Sequence, residues 1–97
     1  MKKETYMFPS IFTIKHDEIS IVFPDLEGCL LCANTFDEAI KNAKVAMALH
    51  LISMEEECTE IPTPTDSKDI GLESNQIIML IRVNIPLDRD IMGNQPS

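Results

Sequence analysis

The chain has 97 residues, of which 44% are apolar, and its 8 basic and 16 acidic residues give a net charge of −8. This length predicts one domain, and no apolar run approaches the roughly 20 residues that span a bilayer. The lysines and arginines are scattered along the chain, so they form no patch that would attract a phosphate backbone. Composition therefore disfavours direct nucleic-acid binding and membrane insertion. It leaves a solubilising acidic surface or a docking surface for a basic partner.

Two features bear on the cellular location. The three cysteines are an odd number, which fits a reducing cytosol better than a secreted disulfide framework. The N-terminus has two lysines but no apolar core behind them, unlike a signal peptide. We therefore expect a cytoplasmic protein.

The first third of the chain predicts three strands joined by tight turns. Apolar residues alternate along residues 6–15 and 19–23, and residues 29–34 form a shorter apolar run. The turn over residues 23–28 is acidic. Pro9 cannot donate to a ladder, so it suggests a bulge or an outward-facing edge segment. The three strands predict an antiparallel meander.

A long helix is predicted next. Thr35 and Glu38 have the spacing of a capping box, in which the Thr35 hydroxyl accepts from the Glu38 amide and Glu38 reaches back to the Thr35 amide. Residues 36 to about 57 contain no glycine or proline. Their apolar residues follow the spacing of an amphipathic helix packed on a sheet. This stripe consists of Phe36, Ala39, Ile40, Ala43, Ala46, Met47, Leu51 and Met54.

The remainder predicts a connection and one more strand. Residues 59–76 contain two prolines and a glycine, with one helical turn expected over residues 66–69. Residues 77–85 are almost continuously apolar and β-branched, which predicts a strand buried on both faces. Residues 1–88 are then the domain, and residues 89–97 are expected to be a flexible tail.

The predicted fold class is α+β, with the element order βββαβ. The simplest sheet has the strand order 3-2-1-4, with the long helix packed on one face. A helix between the third and fourth strands makes a crossover, which we expect to be right-handed. The other face, or a sheet edge, is where a second copy or a partner is expected to dock.

Neither cysteines nor histidines predict a metal or cofactor site. Cys29 and Cys32 have Cys-x-x-Cys spacing, but residues three apart in a strand point to opposite faces and cannot chelate one metal. Buried apolar cysteines are the favoured interpretation. His50 lies at the border of the apolar stripe and is expected to be packed, whereas His16 is expected to be solvated in a turn.

A βββαβ sheet with one helix is also the core of ribonuclease-H-like nucleases, so two-metal catalysis has to be considered. That chemistry requires several carboxylates around metal ions about 4 Å apart, and in such folds one essential aspartate lies inside the first strand. The predicted first strand contains no acidic residue. Asp37 and Glu38 at the helix start, and Asp88 and Asp90 after the last strand, lack this central ligand. No phosphate loop or nucleophile motif is present either, so we expect no catalytic residues.

Four motifs carry a resemblance to a known family. They are Tyr6-x-Phe8-Pro9-x-Ile11-Phe12, Phe23-Pro24-Asp25-Leu26-x-Gly28-Cys29, Thr35-Phe36-Asp37-Glu38-Ala39 and Ile61-Pro62-x-Pro64-Thr65. With these motifs, the chain resembles the HicB family of antitoxins over positions 6–88. The resemblance implies a partial ribonuclease-H-like fold without a catalytic role. It also implies a small basic partner, a HicA toxin, which cleaves messenger RNA and has a double-stranded-RNA-binding-like fold. Many HicB proteins carry a C-terminal DNA-binding domain, but too few residues follow position 85 here for one, so operator binding by this chain alone is not expected.

Together these observations predict a non-catalytic antitoxin that binds and neutralises a HicA-type toxin, and that forms a homodimer or higher homo-oligomer. Complementary charge would raise the association rate and specificity. The alternatives are a stand-alone homo-oligomeric regulatory or scaffold domain without a toxin, and a vestigial ribonuclease-H-like nuclease. The candidate partner-binding residues are Asp17, Glu18, Asp25, Glu27, Glu55, Glu56 and Glu57.

Overall fold

The structure, a computed structural model, describes residues 5–84. One antiparallel sheet with the strand order β3-β2-β1-β4 packs one face against a single long helix. This arrangement confirms the α+β class, the element order and the strand order. The tail over residues 89–97 and the carboxylates of Asp88 and Asp90 lie outside the described residues. The elements are β1 (Thr5–Ile14), β2 (Ile19–Val22), β3 (Leu30–Ala33), α1 (Phe36–Glu56), a 3₁₀ turn (Ser67–Asp69) and β4 (Gln76–Asn84).

The core lies between α1 and one face of the sheet. The alternate residues Tyr6, Phe8 and Phe12 of β1 point to this face, because side chains along a strand alternate between the two sides of a sheet. Phe12 also stacks on Phe36 at the start of α1, with ring centroids 6.1 Å apart. The core is completed by Ile19, Ile21, Phe23, Leu26, Cys29, Ala33, Ala39, Ala43, Met47, Ala48, Leu51, Ile81 and Val83.

The start of α1 confirms the predicted cap, with one difference. Thr35 is extended, and its hydroxyl accepts a hydrogen bond from the Glu38 amide at 3.1 Å. The Glu38 carboxylate reaches back to the amide of Asn34 at 3.4 Å, not to that of Thr35. The alanines at positions 39 and 43 are fully buried, which brings the helix close to the sheet. Among the described residues, no helix is long and apolar enough to cross a membrane.

Pro9 lies inside the sheet and causes no bulge. β1 and β4 pair without interruption from Thr5 opposite Asn84 to Thr13 opposite Gln76, and Pro9 stands opposite Leu80. Because Pro9 has no N–H, its nitrogen must face the β2 side of β1. β2 ends at Val22, opposite Ile11, so no ladder bond is lost there. Of the two predicted alternatives, a bulge or an outward-facing edge segment, the second is therefore correct: on the β2 side, β1 has no partner strand at Pro9.

β4 differs from the sequence prediction in burial and direction. It is an edge strand buried on one face only, with Ile81 2% exposed on the helix side and Leu80 55% exposed on the other. It runs antiparallel to β1 and therefore opposite to β3, so the handedness rule for parallel strands does not apply. The physical reason is the connection over residues 57–75, which returns the chain to the β1–β2 turn, where the Ile14 amide donates to Asn75 at 2.8 Å.

Candidate partner-binding site

The acidic turn between β2 and β3 is held by its own backbone. The Phe23 amide donates to the Cys29 carbonyl, and the Leu26 amide donates back to the Phe23 carbonyl. Leu26 is 1% exposed, so its side chain anchors the middle of the turn in the core. Gly28 closes the turn at a φ of +85°, which only glycine adopts without strain. Glu27 is thereby presented to solvent from a rigid loop.

The end of α1 is set by a second tight turn. The amides of Cys58 and Thr59 donate to the carbonyls of Glu55 and Met54, at 3.1 and 2.8 Å respectively. This is the hydrogen-bond pattern of a Schellman motif, in which the residue after the C-cap is left-handed. Cys58 fills that position with a φ of +59°. The chain therefore reverses sharply after Glu57.

The segment after this reversal is tied to the acidic turn. The Asp25 carboxylate accepts one hydrogen bond from the Thr65 amide, at 2.9 Å, and another from the Thr65 hydroxyl, at 2.5 Å. Asp25 is half-buried. Its carboxylate thus holds the strap, which we define as residues 59–65, against the turn. The main role of the Asp25 carboxylate is therefore to hold the strap in place, and it is less available than an exposed carboxylate to a partner.

The turn, the end of α1 and the strap enclose a cleft of about 410 Å³. Four acidic residues are among those that line it, Asp25, Glu27, Glu57 and Glu60. None of Glu27, Glu57 and Glu60 makes an ion pair with a described residue. The cleft therefore concentrates uncompensated negative charge, which suits the lysine or arginine side chain of a basic partner. We call it the acidic cleft.

Two of the candidate residues lie at the opposite end of the molecule. Asp17 and Glu18 are in the β1–β2 turn, and the Asn34 side chain, just before α1, donates to the Asp17 carbonyl at 3.2 Å. The 21 residues of α1 separate this end from the acidic cleft by about 30 Å. Glu18 is also 3.9 Å from the Lys15 ammonium. A single small contact does not cover both groups.

Glu55 and Glu56 are adjacent in sequence but have different surroundings. The Tyr6 hydroxyl donates to the Glu55 carboxylate at 3.1 Å, which turns Glu55 toward the start of β1. The pKa of the Tyr6 phenol is raised, first by burial and then by the hydrogen bond and negative charge of Glu55. Glu56 is exposed and does not line the acidic cleft. Of the three successive glutamates, only Glu57 lines the cleft.

Two cleft residues were not predicted as partner contacts. His50 is half-buried and lines the cleft, seven residues before Glu57 and so on the same side of the helix. Glu60 lies on the strap, and its placement depends on the reversal at Cys58. The helical spacing from His50 to Glu57 was a usable signal. The position of Glu60 could not be predicted from the sequence, because the left-handed turn that places it has a cysteine where a glycine would have marked the turn.

The cysteines differ from the prediction in one respect. Cys29 is buried, and burial raises the pKa of its thiol. Cys32 is exposed on the sheet face away from α1, opposite Ser20, so the expectation of two buried cysteines was wrong for it. Among the described residues, α1 covers only one face of the sheet, so the face that carries Cys32 is open to solvent. Within residues 5–84, no three His, Cys, Asp or Glu side chains are arranged to hold a metal ion.

Several solved structures are similar to this chain. One is a chain of a HicA3 and HicB3 toxin-antitoxin complex, with 27% identity and a TM-score of 0.64 over 78% of this chain and 95% of that one. A chain of a toxin-antitoxin complex from Streptococcus pneumoniae has 15% identity and a TM-score of 0.78, over 96% and 78% of the two chains. The N-terminal domain of the Burkholderia pseudomallei antitoxin HicB has 20% identity and a TM-score of 0.67, over 81% and 99%.

The family comparison agrees with the likeness in fold. No curated protein sequence gives a significant match. The family model that describes the HicB-like antitoxin of bacterial toxin-antitoxin systems matches residues 10–93, which include most of the sheet, the helix and the acidic cleft. Since this match covers most of the chain, the protein belongs to the HicB-like antitoxin family.

Proposed function

We propose that this chain binds and neutralises a small basic HicA-type toxin that cleaves messenger RNA, and that it has no catalytic activity of its own. The complex would form in the cytoplasm, where the toxin meets its RNA. The observation that carries the proposal is the acidic cleft in a chain of the HicB-like family. A solved relative with 27% identity belongs to a complex of a toxin with an antitoxin.

The electrostatics of the cleft support a basic partner. Glu27 and Glu57 come from two different elements and line one concave surface with Glu60, so their potentials add. Both elements are held by backbone hydrogen bonds, so little conformational entropy is lost when a partner docks. A basic side chain that enters the cleft would find carboxylate acceptors already in position. The same charge disfavours RNA or DNA as a direct ligand.

The positions of the carboxylates do not support the nuclease alternative. β1 presents only uncharged residues, so the aspartate expected inside the first strand of a ribonuclease-H-like nuclease is missing. Asp37 is exposed at the start of α1, at the end of the helix away from the acidic cleft. We therefore assign the carboxylates to recognition of a partner.

Reversal of two cleft charges tests the assignment. The chain is co-expressed with the small basic toxin that we expect a neighbouring reading frame to encode, and growth rescue and association rate are measured. Glu27→Lys combined with Glu57→Lys should abolish rescue and slow association at low salt by at least about tenfold, because both charges attract the toxin. Asp25 is left unchanged, because its replacement would also release Thr65.

The matched control is Asp17→Lys combined with Glu18→Lys, which makes the same change of charge at the opposite end. This variant should still rescue growth. If the control loses rescue and the cleft variant keeps it, the β1–β2 turn is the toxin site instead. If both variants rescue as well as the unchanged chain, recognition by acidic residues is wrong.

A further inference from the structure

The acidic cleft contains one residue that can become a cation itself. His50 lines it together with Asp25, Glu27, Glu57 and Glu60, and none of the described residues that line it is a lysine or an arginine. The four acidic residues come from every element around the cleft, namely the β2–β3 turn, the end of α1 and the strap. Among side chains with ordinary pKa values, only histidine changes its charge between pH 5 and 8. The charge of the cleft in this range therefore depends on His50.

His50 lies on the helix side of the cleft. It is half-buried, and Met54, about one helical turn later, lines the same cleft. Within residues 5–84, the imidazole of His50 takes part in no hydrogen bond or ion pair. Both of its ring nitrogens are thus available, and an imidazole carries a proton on each of them when it is charged. His50 can therefore take up a proton without breaking an interaction of the fold.

A protonated His50 and a basic side chain of a partner would compete for the same carboxylates. Both are cations, and two like charges inside one cleft of about 410 Å³ repel each other. Solvent and salt screen this repulsion less at a half-buried position than at an open surface. The cleft therefore accepts the cation of a partner more tightly when His50 is neutral.

We propose that His50 links partner binding to the proton concentration: the proton on His50 and the basic side chain of the toxin exclude each other from the acidic cleft. This inference rests on the proposed function, because it takes the cleft as the toxin site. Coupling between two ligands is reciprocal, so a cation that enters the cleft displaces the proton from His50 into the solvent. His50 thus makes the cleft selective for a basic partner at neutral pH and weakens binding in acid.

An arginine peptide tests the coupling without the toxin. The probe is triarginine with an acetylated N-terminus and an amidated C-terminus, whose guanidinium groups do not titrate in this range. Its affinity for the full chain is measured by calorimetry at pH 7.5 and 5.5. A histidine of ordinary pKa, coupled to a cation by the usual factor of roughly 5 to 150, weakens binding about three- to tenfold between these values. We expect this fall for the unchanged chain, and none for His50→Gln.

The matched control is His16→Gln. His16 is the other histidine of the chain and lies in the β1–β2 turn, at the end of the molecule away from the cleft. Both substitutions remove one titrating imidazole and change the net charge equally, so only the position differs. His16→Gln should keep the full fall in affinity. A fall that persists in His50→Gln, a fall that is lost in His16→Gln, or a peptide that does not bind at pH 7.5 would each overturn the proposal.

A count of released protons is the second measurement. Calorimetry at pH 6.5 in two buffers of different ionisation enthalpy gives the number of protons released when the peptide binds. The unchanged chain should release about 0.3–0.5 proton per peptide, and His50→Gln should release none. No release from the unchanged chain, or equal release from both, would contradict the coupling. Growth rescue by a chain whose peptide binding is independent of pH would reject this inference and retain the proposed function.

Discussion

Tyr6 is the residue at which burial, hydrogen bonding and charge act together. Its ring is in the core, and its hydroxyl donates to the Glu55 carboxylate. Ionisation would place a phenolate next to a carboxylate in a poorly solvated position. Burial first, and then Glu55, therefore raise the pKa of Tyr6 above its ordinary value. The folded state retains this proton longer than the unfolded chain does.

The pH dependence follows from this direction. The contribution of Tyr6 to stability is complete below the pKa of the unfolded chain and is lost as the pH rises through the higher pKa of the folded state. Tyr6 is the only tyrosine and the chain has no tryptophan, so ultraviolet absorbance of tyrosinate reports this residue alone. We expect a midpoint above that of free tyrosine, lowered in Glu55→Gln but still raised by burial. A midpoint at or below that of free tyrosine would contradict the contact.

At the residue scale, the alternation along residues 6–15 predicted a strand with two distinct faces, and the structure shows that the face with Tyr6 packs in the core. The sequence could not reveal that Glu55 is bound to Tyr6 while Glu57 lines the acidic cleft. These residues belong to one run of glutamates, and the difference depends on the rotation of α1 over the sheet and on residues 49 positions apart. For the same reason, the hydrogen bonds from Thr65 to Asp25 could not be predicted from local sequence.

At the scale of the elements, the end of α1 carries a local backbone strain: within residues 5–84, Cys58 is the one non-glycine residue with a positive φ. Cys58 is exposed and adopts the left-handed conformation at the position where a Schellman motif favours glycine. That conformation costs a non-glycine residue roughly 1–2 kcal/mol, partly offset in glycine by its greater freedom when unfolded. Cys58→Gly should therefore raise the free energy of unfolding by about 0.5–1 kcal/mol.

Urea unfolding at a fixed reducing potential is the measurement for this change. Cys58→Ala is the control, because alanine keeps the left-handed strain and should leave the free energy of unfolding within about 0.5 kcal/mol of the unchanged chain. Equal stability of the glycine and alanine variants would show that the turn at Cys58 is not strained.

Local signals were sufficient for most elements. The capping box, the absence of glycine and proline, and the apolar spacing together predicted α1 almost to the residue. The direction and burial of β4 were not predictable in this way. A continuous apolar strand can be central or at an edge, and the return of the chain through residues 57–75 depends on contacts such as that between Ile14 and Asn75.

At the scale of the whole molecule, charge is distributed unevenly over the surface. The acidic cleft gathers carboxylates of the β2–β3 turn, the end of α1 and the strap, whereas β4 has none. Net charge alone suggested a basic partner but could not say where it would dock. The fold brings acidic residues that are distant in sequence together at one end of the molecule and leaves β4 without a carboxylate.

The most direct test of the central claim is a titration of toxin activity with this chain. Cleavage of messenger RNA by the purified HicA-type toxin is measured while this chain is added. The Glu27→Lys and Glu57→Lys double variant is titrated in parallel. The account predicts that the unchanged chain abolishes cleavage at equimolar binding sites and that the double variant does so only at a much higher concentration. Undiminished cleavage in the presence of excess unchanged chain would contradict it.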